Sequence, residues 1–480
     1  MAGTQASFKD KVVKGFLWVG TGTFLGQVVS WLSTLLVIRL LSPSDYGLMA
    51  MALTFTGLLT MISGLGVNAP VIQAADISDR QIQQLFGFVV LTGAASWLVC
   101  HLTAPLIARF YGEKDLILMI RVMNINFILI AFYLIPQSLL VREMDFKTKA
   151  KVDVLAQVGS ALLTLSLAWK GLGAWSLIVG LISMHAIKAV GFTVARSSWI
   201  KPLFFFKGVG DFLKFGLVVT GDGLLFYVFN MSDKIIVGKF LADRVLGIYS
   251  VALNLASIPA EKVLPIITQV SFTSYSRIQN DGERINRNLL RATRIIAFVG
   301  FPLFLGMAAL AQEGIPLILG SKWTSAVVPF QLLCFVLPLK SLSPILPPAV
   351  IAIGKPRVNL TNMAISSFLI TVALLIGVRY GLVGVCMAWI IGFPVIFAIT
   401  SVRCLRVLNL PIKDFLAEIY FPFLASTFML AFLYLLKNVL VLQPIFSLVL
   451  QVFSGVILYL SLTLLFRKRE FSELQSLIRR

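Results

Sequence analysis

The chain has 480 residues, 58% of them hydrophobic and 13% charged, with a net charge of +20. A soluble domain carries about 25% charged residues, so a soluble enzyme or binding module is excluded. The basic excess reads as loop charge that orients membrane spans, not as a nucleic-acid surface.

In chain order, Lys9, Lys11 and Lys14 precede an apolar run from Gly15 to Leu41. That run is too long for a secretory signal core of about 7–15 residues and reads as a first retained span. Further spans are expected near 47–73, 84–110, 116–141, 151–169, 173–195, 212–232, 245–275, 290–318, 325–353, 358–378, 382–402, 415–436 and 443–466. Apolar runs that cross about 30 Å of hydrocarbon must satisfy their own backbone, so they are helices. The expected class is an all-α polytopic membrane protein of about 14 transmembrane helices. Loop Lys and Arg number 27 on the side of the N-terminus and 10 on the other, which predicts both termini in the cytoplasm. Cys100, Cys334, Cys386 and Cys404 lie in or at the ends of apolar runs without ligand spacing. They read as small core residues, and no cofactor or metal is expected.

The chain repeats itself. Arg39-Leu40-Leu41-Ser42-Pro43-Ser44-Asp45-Tyr46-Gly47-Leu48 is echoed 200 residues later by Lys239-Phe240-Leu241-Ala242-Asp243-Arg244-Val245-Leu246-Gly247-Ile248. Gly171-Leu172-Gly173-Ala174-Trp175 has a similar echo in Gly381-Leu382-Val383-Gly384-Val385. Six expected helices separate the first pair of motifs, so the halves are parallel repeats, an arrangement common in transporters. The implied division is an N-terminal six-helix lobe over 1–206, a C-terminal six-helix lobe over 207–408, and helices 13–14 with a cytoplasmic tail over 409–480.

These motifs, together with Arg142-Glu143-Met144-Asp145-Phe146, Ala352-Ile353-Gly354-Lys355-Pro356 and Tyr380-Gly381-Leu382-Val383-Gly384, resemble the polysaccharide-exporter flippases. That family shares a superfamily with multidrug-and-toxin extruders and lipid II flippases. The resemblance implies two six-helix bundles in a V-shaped, MATE-like arrangement, with the last two helices helping to hold a lipid tail. It implies transport of an undecaprenyl-pyrophosphate-linked oligosaccharide across the bacterial inner membrane by alternating access. Partners implied are the lipid bilayer and the polysaccharide polymerase and chain-length machinery.

A charged sugar headgroup needs a wet, cation-bearing path, and charges inside spans usually face such a path or a partner. Arg121, with Asn124 on the same helical face, is the first candidate for a phosphate or sugar contact; otherwise Arg121 snorkels to the outer interface. Lys262 and Glu261 are adjacent and do not face each other on a helix, so each needs its own partner or water. Lys262 reads as a cavity cation and Glu261 as a cavity acid, or each as half of a buried pair. Asp222, between Gly221 and Gly223, reads as a coupling-ion carboxylate or as a structural partner of Lys262. Lys340 lies in the proline-rich run Leu337–Pro348 and reads as a substrate contact at a broken helix, or as a snorkelling lysine beside a kink. Lys188 reads as a cavity cation or a headgroup contact. Trp18, Trp31, Trp97, Trp169, Trp175, Trp199 and Trp323 fit an interfacial belt or, singly, sugar stacking.

Three other functions compete with the flippase. A drug or metabolite exporter of the same fold would favour an acidic pocket, whereas four of the membrane charges here are Arg or Lys. A membrane glycosyltransferase or polymerase would show an Asp-x-Asp or a large outer loop, and the sequence has neither, so the chain is not expected to be an enzyme. A scaffold would leave the repeat and the intramembrane charges without a use.

Overall fold

The structure, a computed structural model, describes residues 26–64, 67–74, 76–196, 200–207, 209–277, 281–440 and 443–467. The side chains of 61–64, 69–70, 211, 214–222 and 262–277 lie outside the description. Among the described residues there is no strand. The helices are α1 (Gly26–Leu40), α2 (Pro43–Gly64), α3 (Asn68–Gln73), α4 (Asp79–Tyr111), α5 (Leu116–Met123), α6 (Ile125–Arg142), α7 (Phe146–Trp169) and α8 (Ala174–Ala195). They continue with α9 (Gly210–Arg277), α10 (Gly282–Leu319), α11 (Val327–Leu342), α12 (Leu346–Ala352), α13 (Pro356–Gly377), α14 (Gly381–Val407), α15 (Ile412–Val439) and α16 (Pro444–Phe466). Nine helical runs among the described residues are long and apolar enough to cross a membrane, or ten if the bent pair α1–α2 is one span. One of the nine, Pro356–Val407, contains both α13 and α14. The chain is a multi-pass membrane protein. The figure of fourteen spans is a reading of the sequence alone.

Local chemistry sets the helix ends. Ser78 and Gln81 form a capping box at the start of α4, and Asp145 and Asp281 cap α7 and α10 through the N–H groups of Thr148 and Arg284. The expected fourth span is the continuous run Leu116–Arg142, with α5 and α6 meeting at Asn124, which keeps right-handed helical dihedrals. The long α9 is two helices broken at Ala242, which sits at φ 68°.

The chain divides into two compact units, Met1–Gly247 and Ile248–Arg480. In the first unit the repeated turns pack on each other reciprocally. A Cβ on Gly47 would collide with the carbonyl of Asp243, and one on Gly247 with the carbonyl of Pro43. The two contacts interchange under the 200-residue offset, as a local twofold between the copies requires. The copies differ in their caps. Ser42 N–H and hydroxyl both donate to Asp45 Oδ2 (2.8 and 2.6 Å), a capping box that starts α2. The second copy has Ala242 and Val245 at those positions and lacks the box.

In the second unit α10 is the pillar onto which α15 and α16 dock. Arg294 makes a bidentate pair with Glu418 (2.6 and 2.8 Å), and Lys437 bonds Glu313 at 2.8 Å. Arg294 and Glu313 are 19 residues apart, as are Glu418 and Lys437. The pairs are therefore about 28 Å apart along parallel helices, close to the hydrocarbon thickness. Antiparallel docking would set Arg294 against Lys437 and Glu313 against Glu418, so the charge order selects the parallel register. Helix α16 is inside out. It buries Ser447, Gln451, Gly455, Tyr459 and Thr463 at four-residue spacing and exposes Phe453, Ile457 and Leu465. Lipid tails solvate leucine as well as a neighbouring helix does, so small and polar residues make the contact. Tyr459 donates to the carbonyl of Phe298 at 2.9 Å, and Gly455 lets Leu433 approach.

Candidate functional site

A cavity that takes in Arg121 lies at one end of the first unit, where the α1–α2 turn, the α4–α5 loop and the α7–α8 loop converge. It has a volume of about 500 Å³, and its walls include Asp45, Lys114, Asp115, Arg121, Gly173 and Trp175. Asp45 fixes the geometry. Besides closing the capping box, its Oδ1 accepts the Ala174 N–H at 2.8 Å, which ties the first turn to the start of α8. Gly173 has φ 55°, and a Cβ there would meet Asp45 Oδ1 at 2.6 Å, so glycine lets the loop close on this carboxylate. Arg121 is exposed on the cavity wall. Asn124 does not join it: the side chain is fully buried where α5 meets α6.

The other candidates are dispersed. Lys188 lies 3.2 Å from Asp153, which also takes the Lys149 ammonium at 2.7 Å. Nearby, His185 Nδ1 and the Tyr133 hydroxyl are 3.1 Å apart, with their rings stacked. In the second unit, half-buried Lys340 sits 4.2 Å from the centroid of Trp389, whose indole N–H donates to Tyr249 at 3.0 Å. An aromatic column continues through Phe393 and Phe397 to Phe415. Glu261 is exposed. Asp222 and Lys262 lie on α9, but their side chains are outside the described residues.

The family model described as "Polysaccharide biosynthesis protein" matches residues 36–328, more than half of the chain. The chain belongs to this family. The lipopolysaccharide biosynthesis protein WzxC of Escherichia coli (strain K12) is 24% identical over 428 residues, spanning 88% of this chain and 86% of its own length. The teichuronic acid biosynthesis protein TuaB of Bacillus subtilis (strain 168) is 25% identical over 339 residues, 69% of each. The fold matches the lipid II flippase MurJ in an inward closed conformation, with a TM-score of 0.74 at 18% identity, over 94% of this chain and 99% of that one. It matches an inward-facing multidrug MATE transporter with a TM-score of 0.61 at 16% identity, over 80% and 94%. The resemblance drawn from the motifs therefore holds at the level of the family, and these solved structures share the chain's fold.

Several charged residues of this polysaccharide biosynthesis protein escaped the sequence reading. Asp233 is buried on α9 beside Lys234, past the expected end of the seventh span. Asp153 was not linked to Lys188, and the two α10–α15 ion pairs were missed. Their common 19-residue spacing was the available signal.

Proposed function

We propose that this protein flips an undecaprenyl-pyrophosphate-linked oligosaccharide from the cytoplasmic to the periplasmic leaflet of a bacterial inner membrane. It does so by alternating access of two lobes, 1–206 and 207–408, with 409–480 as an added helix pair and tail, both termini cytoplasmic and no bond chemistry of its own. The observation that carries this reading is a polysaccharide-biosynthesis family match on a chain with a lipid-flippase fold. Cations within the spans support it, since a pyrophosphate leaving water needs compensating charge. Arg121 is the leading substrate contact, with Lys188, Lys262 and Lys340 along the path, and Asn124, expected beside it, is buried away from the cavity. Asp222 and Glu261 are the coupling-ion carboxylates. Polymerase and chain-length proteins receive the product.

The test is deletion in the native host, with lipid-linked oligosaccharides quantified by mass spectrometry. Accumulation of a defined repeat unit with loss of surface polymer is expected. An unchanged lipid-linked pool with altered drug sensitivity would replace flipping with efflux.

A further inference from the structure

We infer that the cavity at the end of the first unit is a sugar-binding site that holds the oligosaccharide head on the release side of the membrane. The inference rests on the flippase reading for its ligand, and on four observations for its chemistry. The first is size. About 500 Å³ falls within the roughly 300–1,000 Å³ of small-molecule sites and is too large for a lone phosphate.

The second is the state of the polar groups. The side chains of Arg121, Lys114 and Asp115 border the cavity with no side-chain hydrogen bond or ion pair among the described residues. Asp45, on the same wall, is fully occupied by Ser42 and Ala174. One acid is thus spent on rigidity, which holds the loops in place, and three charged side chains are left for a ligand.

The third is charge balance. Two carboxylates and two cations line the site. A polyanion would meet two acids there, whereas a sugar unit both donates and accepts hydrogen bonds through its hydroxyls. Asp115 can accept from a pair of hydroxyls, and Arg121 and Lys114 can donate to hydroxyl or ring oxygens.

The fourth is Trp175, a half-buried indole at the mouth of α8. Its face offers a flat apolar surface for the C–H side of a pyranose, and the polar groups around it set orientation. The loop-charge count places all three contributing turns on the poorly basic side, opposite the termini. A headgroup that has crossed would meet this site on its way out.

The test uses the full chain in lipid nanodiscs and, as probe, the oligosaccharide released by mild acid from lipid extracts of a host strain lacking the protein. Binding is measured by native mass spectrometry. Trp175→Ala and Asp115→Asn are expected to weaken binding about tenfold or more, with Trp175→Phe retaining most of it and Trp97→Ala, at a residue whose ring lies 5.2 Å from that of His101, retaining all. No binding to wild-type protein, or equal binding to Trp175→Ala, would overturn the site.

Sidedness is read separately in cells. The four native cysteines are buried, so a Lys114→Cys variant reports its own labelling. Reaction with a membrane-impermeant maleimide in intact cells, slowed by the probe in nanodiscs, is expected. Labelling that requires permeabilised cells would overturn the release-side assignment. Failure of the flippase reading has its own signature, an unchanged lipid-linked pool in the deletion strain, and leaves the binding measurement interpretable.

Discussion

Charges at the α10–α15 contact and charges around the first unit's cavity face different ends. Along α10, Arg294 and Glu313 are each matched by an opposite charge on α15, with both members of each pair largely covered. Around the cavity, Asp45 is held by Ser42 and the Ala174 N–H, and Arg121, Lys114 and Asp115 have no side-chain partner among the described residues. A charge near a membrane is costly unless it has a partner or water. Where the partner is another helix, the charge sets packing register. Where it is open space bounded by a fixed wall, the charge is available to a ligand. The same residue types are thus paired at one contact and unpaired at the other.

The strongest way to break this contrast is to reverse a paired charge. Glu418→Arg sets two guanidiniums together and should lower the unfolding free energy in detergent by about 2 kcal/mol or more, between the values for exposed and buried pairs. Combining it with Arg294→Glu should restore most of the loss, and a double-mutant cycle on thermal unfolding measures the coupling. No rescue would mean that the pair does not set register. Asp45→Ala should cost less, about 1 kcal/mol, because it removes a cap and the tie to α8. Val245→Ala, the matching change in the second copy, should cost less again, since no box exists there. Arg121→Gln and Trp175→Phe should change stability least, within about 0.5 kcal/mol, while Arg121→Gln reduces surface polymer. A large stability loss at Arg121 would place it with the architectural charges instead.

Much of the fold was legible because membrane helices announce themselves through apolar length, and because a repeat survives wherever backbone packing demands it. Gly47 and Gly247 are the clearest case: matching motifs 200 residues apart mark a contact where only glycine fits. Arg121 was legible as a charge in a span. Its surroundings were not, because Lys114 and Trp175 reach the cavity from separate loops and no periodicity links them. Trp175 therefore read as one belt tryptophan among seven. Lys188 and Lys340 were legible as intramembrane cations, but their engagement by Asp153 and Trp389 depends on which helices neighbour each other.

The most direct test of flipping is made in vesicles. Purified protein is reconstituted with the host's lipid-linked oligosaccharide distributed over both leaflets, and a membrane-impermeant oxidant of sugar diols is added outside. Vesicles containing the protein are expected to expose their inner-leaflet pool to the oxidant, and protein-free vesicles are not. Equal oxidation in both, in vesicles shown to be sealed, would contradict it.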